Sequence, residues 1–215
     1  MILEAHNISK SFGKNGLSPV DITLSDGRFI CVTGESGCGK TTLLNILSGM
    51  LSPDSGHVKI DGKNVYESMS EHERTLLRNG TLGYMAQGNS LIPELTVWQN
   101  IVCPLELYGR KYDKKHVFEL TQKLGIDNVI DSYPSDISGG EYRRVLLARV
   151  IMSDAKLLLV DEPTSNLDEK SADIVRGILY EEYKNGKGLL IVAHDKDILE
   201  YDPEVIRISS GDDRI

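Results

Sequence analysis

The sequence predicts an α/β fold: a parallel-sheet core with an antiparallel β part and an inserted α-helical subdomain. Three observations carry this. A β-branched apolar run, Phe29–Thr33, enters a glycine-rich loop, Gly34–Thr42, and a helical pattern with Leu43, Leu44, Ile46 and Leu47 follows, ending at Gly49. Two further runs, Lys156–Asp161 and Gly188–Ala193, are continuously apolar, as suits parallel strands covered on both faces. Between them and the loop, residues 87–153 carry almost no strand signal.

Taken in order, Leu3–Ile8 reads as a first strand, followed by Ser9-Lys10-Ser11-Phe12-Gly13. Phe12 is either an aromatic that stacks on a ligand ring or an ordinary core or loop side chain. Val20–Leu24 and Arg28–Thr33 flank Ser25-Asp26-Gly27, a hairpin signal. The strand entering the glycine loop is therefore expected to pair antiparallel on at least one side. Ser52–Gly56 is a turn cluster, and His57–Ile60 a short strand closed by Asp61-Gly62. Ser70 and Glu73 have capping-box spacing and open a helix that stops near Gly80. Leu82–Met85 is a strand leading to Gln87.

In the helical stretch, Thr96 can cap a helix carrying Val97, Ile101 and Leu105, kinked or ended by Pro104. Asp113 can cap a second, with Val117, Leu120 and Leu124 on one face and Gly125 after it. A third runs from about Gly140 to Met152. Beyond the apolar strand 156–161, Asp168–Lys184 is an amphipathic helix, and Val205–Ile208 is the last strand. The expected division is a core of residues 1–86 and 154–215 with a helical subdomain of residues 87–153, all within a single domain of residues 1–215.

Composition narrows the class. With 24 basic against 32 acidic residues, the net charge of −8 argues against a nucleic-acid binder that works by neutralising phosphates. No apolar run approaches the ~20 residues of a membrane span. The start, Met1-Ile2-Leu3-Glu4, lacks the features of a signal peptide. Three widely spaced cysteines, Cys31, Cys38 and Cys103, show no metal-ligand pattern and suit a reducing cytosol.

The chemistry sits first in Gly34-Glu35-Ser36-Gly37-Cys38-Gly39-Lys40-Thr41-Thr42, which fits G-x-x-x-x-G-K-[ST] between a strand and a helix. Its glycines let backbone N–H groups converge on a phosphate, and the helix N-terminus adds positive potential. Lys40 reaches the β- and γ-phosphates of a nucleotide in such loops, and the Thr41 hydroxyl ligates Mg²⁺. Asp161 ends a buried strand, where it can meet Mg²⁺. Glu162, one residue on, can project toward the γ-phosphate as the base that polarises attacking water. Ile137-Ser138-Gly139-Gly140-Glu141 precedes a helix and is a second anion-binding candidate. It serves either a nucleotide held by a partner subunit or only its own helix as an N-cap with a glycine turn.

Taken together, these segments resemble the ATP-binding cassette (ABC) ATPases. That family's order is an aromatic, a phosphate loop, a glutamine loop, a signature near L-S-G-G-Q, an acidic strand end, an S-A-L-D-like loop and a histidine. Here these are Phe12, Gly34–Thr42, Gln87, Ile137–Glu141, Asp161-Glu162, Ser165-Asn166-Leu167-Asp168 and His194. The resemblance implies a P-loop NTPase core of the RecA-like type, with ATP and Mg²⁺ as cofactors. It implies that Phe12 stacks on the base and that Gln87 senses Mg²⁺ and the water. His194 contacts the γ-phosphate, and Asp168 lies at a dimer interface. Two copies would close head-to-tail around two ATPs, each site completed by the other chain's Ser138, Gly139 and Gly140, to drive a separate membrane permease from the cytoplasmic face. Gln87–Val97 and Glu162–Asp168 look most like the lipoprotein-releasing and macrolide-exporter type, with importer ATPases sharing much of the pattern. A non-transport ABC ATPase would need a coiled-coil insertion or a second cassette. A small-metabolite kinase would have no use for Ile137–Glu141.

Three positions depart from the pattern: Ile137 for leucine, Glu141 for glutamine, and Arg143-Arg144 where Gln-Arg is common. None removes a catalytic group. Cys38 lies beside Lys40 and a helix N-terminus, features that lower a thiol pKa, and is expected to be the most reactive of the three thiols.

Overall fold

The computed structural model describes residues 1–13, 15–88, 90–193 and 197–209. The chain forms two sheets. In the antiparallel one, β1 (Ile2–Phe12) lies between β2 (Asn15–Ser25) and β4 (Ser55–Ile60), and the short β5 (Lys63–Asn64) extends the edge. In the parallel one the order is β6 (Leu82–Met85), β7 (Leu157–Asp161), β8 (Gly188–Val192), β3 (Phe29–Thr33), β9 (Glu204–Arg207).

The expected hairpin at Ser25-Asp26-Gly27 does not form. Among the described residues β3 pairs with β8 and β9 alone, both parallel, while β2 pairs antiparallel with β1. The turn instead carries the chain from one sheet to the other. Gly27 N–H donates to Gly186 O and Leu189 N–H to Arg28 O, which docks the start of β3 beside β8. The reason is in the side chains. Phe29–Val32 are all buried, as in a central strand, whereas the β2 sequence alternates between buried and partly exposed positions. Gly188 is fixed by the same crossing: a Cβ there would stand 2.5 Å from Ser25 O.

The strands of the parallel sheet divide their side chains between two cores. Phe29, Cys31, Leu158, Val160, Leu189 and Ile191 face one; Ile30, Val32, Leu157, Leu159, Leu190 and Val192 face the other. The second core is filled by the antiparallel sheet and by α1 (Lys40–Leu47), through Leu43, Leu44, Ile46 and Leu47. The first receives α3 (Val97–Leu107), α4 (Lys114–Lys123), α5 (Gly139–Met152) and α6 (Glu169–Lys184). A further helix, α2 (Glu71–Arg78), precedes β6.

Helix starts follow the local chemistry. Ser70, Thr96 and Ser138 form reciprocal capping boxes with Glu73, Gln99 and Glu141. Asp113 and Asp168 cap α4 and α6 by accepting from Lys115 N–H and Ser171 N–H. Pro104 lies inside α3 and does not end it. Among the described residues, no strand occurs between β6 and β7.

Candidate active site

The phosphate loop leaves β3 at the C-terminal end of the parallel sheet, the edge where ligands bind in open α/β folds. Gly37 and Gly39 have φ of +82° and +99°, conformations a side chain would strain. Gly34 is needed for another reason. A Cβ there would lie 2.4 Å from Ile208 O and 2.6 Å from Cys38 Sγ.

Lys40 is 7% exposed, and its ammonium donates to the carbonyls of Gly34 and Glu35, each at 2.8 Å. The loop thus curls round its own lysine. Ser36, Gly37, Gly39, Lys40, Thr41 and Thr42 line a cleft of about 230 Å³ whose remaining walls are Gln87 and Glu162. Glu35 is exposed on the same loop, while Cys38 is buried. The structure brings together β3, β6 and β7 ends here, from residues far apart in sequence.

Asp161 is 1% exposed at the end of β7. Its Oδ2 accepts from the Thr41 hydroxyl at 2.8 Å, and its Oδ1 is buried with no hydrogen-bond partner among the described residues. Burial raises its pKa, opposed by the Thr41 hydroxyl, and the neighbouring Glu162 charge raises it further. A buried carboxylate oxygen with no donor, next to a hydroxyl, is a donor set that fits a hard divalent cation.

Glu162 follows with φ of +47°. This left-handed turn takes it out of the line of β7, and its Oε2 accepts from Gln87 Nε2 at 3.0 Å. Behind it, Arg143 of α5 is 8% exposed. Its Nη2 donates to the carbonyl oxygens of Asp161, at 2.8 Å, and Glu162, and to Ser165 Oγ at 3.3 Å. Burial holds the guanidinium below its ordinary pKa, against the pull of Asp161 and Glu162.

Phe12 ends β1 and is 52% exposed. The β1–β2 register sets Phe12 opposite Asn15 and Ser11 opposite Gly16. Gly16 in turn packs on the phosphate loop, since a Cβ on Gly39 would stand 2.7 Å from Gly16 O. The hairpin tip therefore places Phe12 beside the loop. The resemblance already gives Phe12 a base-stacking role; the hairpin that carries it is not legible, because β2 begins at Asn15, ahead of the apolar segment Val20–Leu24.

Ser138, Gly139 and Gly140 are not among the residues lining the cleft; they open α5. The Ser138 hydroxyl and backbone N–H both donate to Glu141 Oε2, at 2.7 and 2.8 Å. The Ser138 hydroxyl and backbone hold this carboxylate below the usual range. Asp168 accepts from Ser171 N–H and Oγ at 3.0 and 2.7 Å, and Arg144 also donates to Ser171 Oγ. His194 lies outside the described residues.

The expectation for Cys38 is overturned. Its sulfur lies 3.9 Å from Lys40 Nζ, yet the residue is completely buried, packed in the second core beside Gly34. Cys31 is equally buried; Cys103 is partly exposed on α3. Limited alkylation followed by mass spectrometry is expected to label Cys103 first and Cys38 only on unfolding.

Comparisons with known proteins agree with the geometry. A family profile described as ABC transporter matches residues 17–165. A Staphylococcus haemolyticus ATP-binding protein assigned to hemin import is 37% identical over 98% of each chain. The lipoprotein-releasing system ATP-binding protein of Aquifex aeolicus is 35% identical, covering 98% of this chain and 95% of its own. The macrolide export ATP-binding/permease protein of Chlorobaculum tepidum is 33% identical over 99% of this chain and 34% of its own. A dimeric ATP-binding cassette, solved in a post-hydrolysis state with ADP and Pi, superposes with a TM-score of 0.87 at 27% identity. That match covers 97% of this chain and 96% of the cassette.

Proposed function

The chain belongs to the ABC transporter family, and on that premise we propose that it is the ATP-hydrolysing subunit of a transporter of the export or lipoprotein-release type. It works as a head-to-tail homodimer on the cytoplasmic face of a separate permease. The observation that carries this is the common cleft of Lys40, Thr41, Gln87 and Glu162. Among the described residues no helix is long and apolar enough to cross a membrane.

On nucleotide binding, Lys40 exchanges its two loop carbonyls for β- and γ-phosphate oxygens. Phe12 takes the base. Thr41, Asp161 and Gln87 would hold Mg²⁺, which would supply charge neutralisation for the phosphates. Glu162 accepts a proton from water as the water oxygen bonds to the γ-phosphorus and the bond to the bridging oxygen breaks. Gln87 orients the Glu162 carboxylate, as its amide does already. His194 contacts the γ-phosphate, and the partner's Ser138–Gly140 segment closes the site from the other side. For that closure Glu141 must yield the Ser138 hydroxyl and N–H it now occupies.

Residues 1–86 and 154–215 form the nucleotide-binding core and residues 87–153 the helical subdomain. Where α3 meets the end of α2, Ile92, Cys103, Pro104, Leu107 and Tyr108 line a groove with Arg78 and Arg149 beside it. Leu107 is 75% exposed there. The groove's apolar floor and basic edge fit an amphipathic permease segment bearing acidic side chains.

The test combines both halves. The isolated protein is expected to release free phosphate from Mg-ATP and to dimerise in ATP by light scattering. Leu107→Glu is expected to leave that activity intact while weakening stimulation by the co-reconstituted permease. A phosphorylated acceptor in place of free phosphate, or full permease stimulation of Leu107→Glu, would count against the corresponding half.

A further inference from the structure

Arg143 has no part in the reading above, yet its charged side chain is buried directly behind the site. Burying a guanidinium is costly unless its donors find acceptors. Its Nη2 finds three, all on or beside Glu162: the carbonyls of Asp161 and Glu162 and the Ser165 hydroxyl. Its Nε is buried without a partner among the described residues. Packing alone would favour an apolar side chain here.

Glu162 shows what the guanidinium holds. A non-glycine residue at φ +47° persists only where its surroundings over-determine it. The Glu162 N–H donates to Val192 O at 2.8 Å, which ties it to β8. Its carbonyl accepts from Arg143, from Ser165 N–H at 3.2 Å and from Ser165 Oγ at 3.1 Å. Both sides of the left-handed unit are therefore pinned. The turn separates the two acids: buried Asp161 meets the Thr41 hydroxyl, and Glu162 meets Gln87 across the cleft.

We propose that Arg143 is a positioning residue for the catalytic base, holding the Glu162 peptide in the left-handed turn that aims its carboxylate at the γ-phosphate. This rests on the assignment of Glu162 as base. Arg143 lies in α5, the helix that Ser138 caps. A displacement of that helix, such as closure on the partner's nucleotide would bring, therefore reaches this chain's own base directly. The sequence marks the position only as a departure, arginine where glutamine is common.

The test is a double-mutant cycle in the full chain with Arg143→Ala and Glu162→Gln. Misplacing a reacting group by about 1 Å can cost roughly 10²-fold. Arg143→Ala is expected to lower kcat about 10–10²-fold, with KM for ATP within about twofold and the ATP-dependent dimer retained. Millimolar guanidinium is expected to restore part of its kcat and to leave the wild type unchanged. In the Glu162→Gln background the Arg143 lesion is expected to cost nothing further. Should Arg143→Ala fail to fold, Arg143→Gln, which keeps an amide donor, takes its place under the same criteria with a smaller loss. Losses that multiply with Glu162→Gln, or a raised KM with kcat intact, would overturn the positioning role. Wild-type activity of Glu162→Gln by itself would instead strike at the base assignment.

Discussion

Glu162→Gln is expected to bind ATP and to lose nearly all hydrolysis. The amide fits the same space and can still meet Gln87, but it cannot take the water proton. A positioned general base contributes about 10²–10⁴ in rate, which is roughly 3–5 kcal/mol of barrier. Because ATP enters and stays, the closed dimer should accumulate. Steady-state phosphate release and light scattering in Mg-ATP report the two effects together. Phosphate release near the wild-type rate would place the base on another residue.

Mixing two impaired proteins is expected to restore hydrolysis. Lys40→Ala removes the ammonium that now grips Gly34 O and Glu35 O and would otherwise grip phosphate. A charge-assisted hydrogen bond is worth about 1.5–3 kcal/mol, so the loss alone is roughly 10–10²-fold. Ser138→Arg blocks the start of α5 in the other protein. In a mixed head-to-tail dimer one site carries both lesions and the other carries none. Activity should therefore rise above the sum of the two separate proteins. If phosphate release in the mixture stays at that sum while both variants still dimerise in ATP, the shared-site arrangement is wrong.

Much of this site was legible because its groups lie in short contiguous segments. Gly34–Thr42 declares a phosphate loop through spacing alone, and Asp161-Glu162 follows an apolar run that only a buried strand explains. Helix starts at Ser70, Thr96 and Ser138 were equally open to reading, since a capping box is a bargain between neighbours three residues apart. What stayed hidden depends on partners distant in the chain. Ser25-Asp26-Gly27 has the chemistry of a tight turn, and nothing within it says that the next strand joins a different sheet. That choice is made by Gly186 and Leu189, some 160 residues away in roughly the sense of a long-range pairing. Cys38 looked activated from its neighbours in sequence, but Gly34 and the second core enclose it. Arg143 stands out in the sequence only as a departure from Gln-Arg, and its role depends on the distant end of β7, whose carbonyls it meets.

The parallel sheet has a consequence of a different kind. Its two faces feed two separate cores, one packing α1 and the phosphate loop, the other packing α5 and the signature segment. The sheet is a party wall between two rooms. Close-packed interiors resist compression and rearrangement, so relative movement is cheapest along a boundary between packed units. The phosphate loop and the start of α5 are thus furnished on opposite sides of one partition. The helices of the other room pack directly on this wall, on the face away from the α1 packing behind Lys40 and Thr41. At the end of the wall Gln87, Arg143 and Glu162 meet, so the base sits where the two rooms touch.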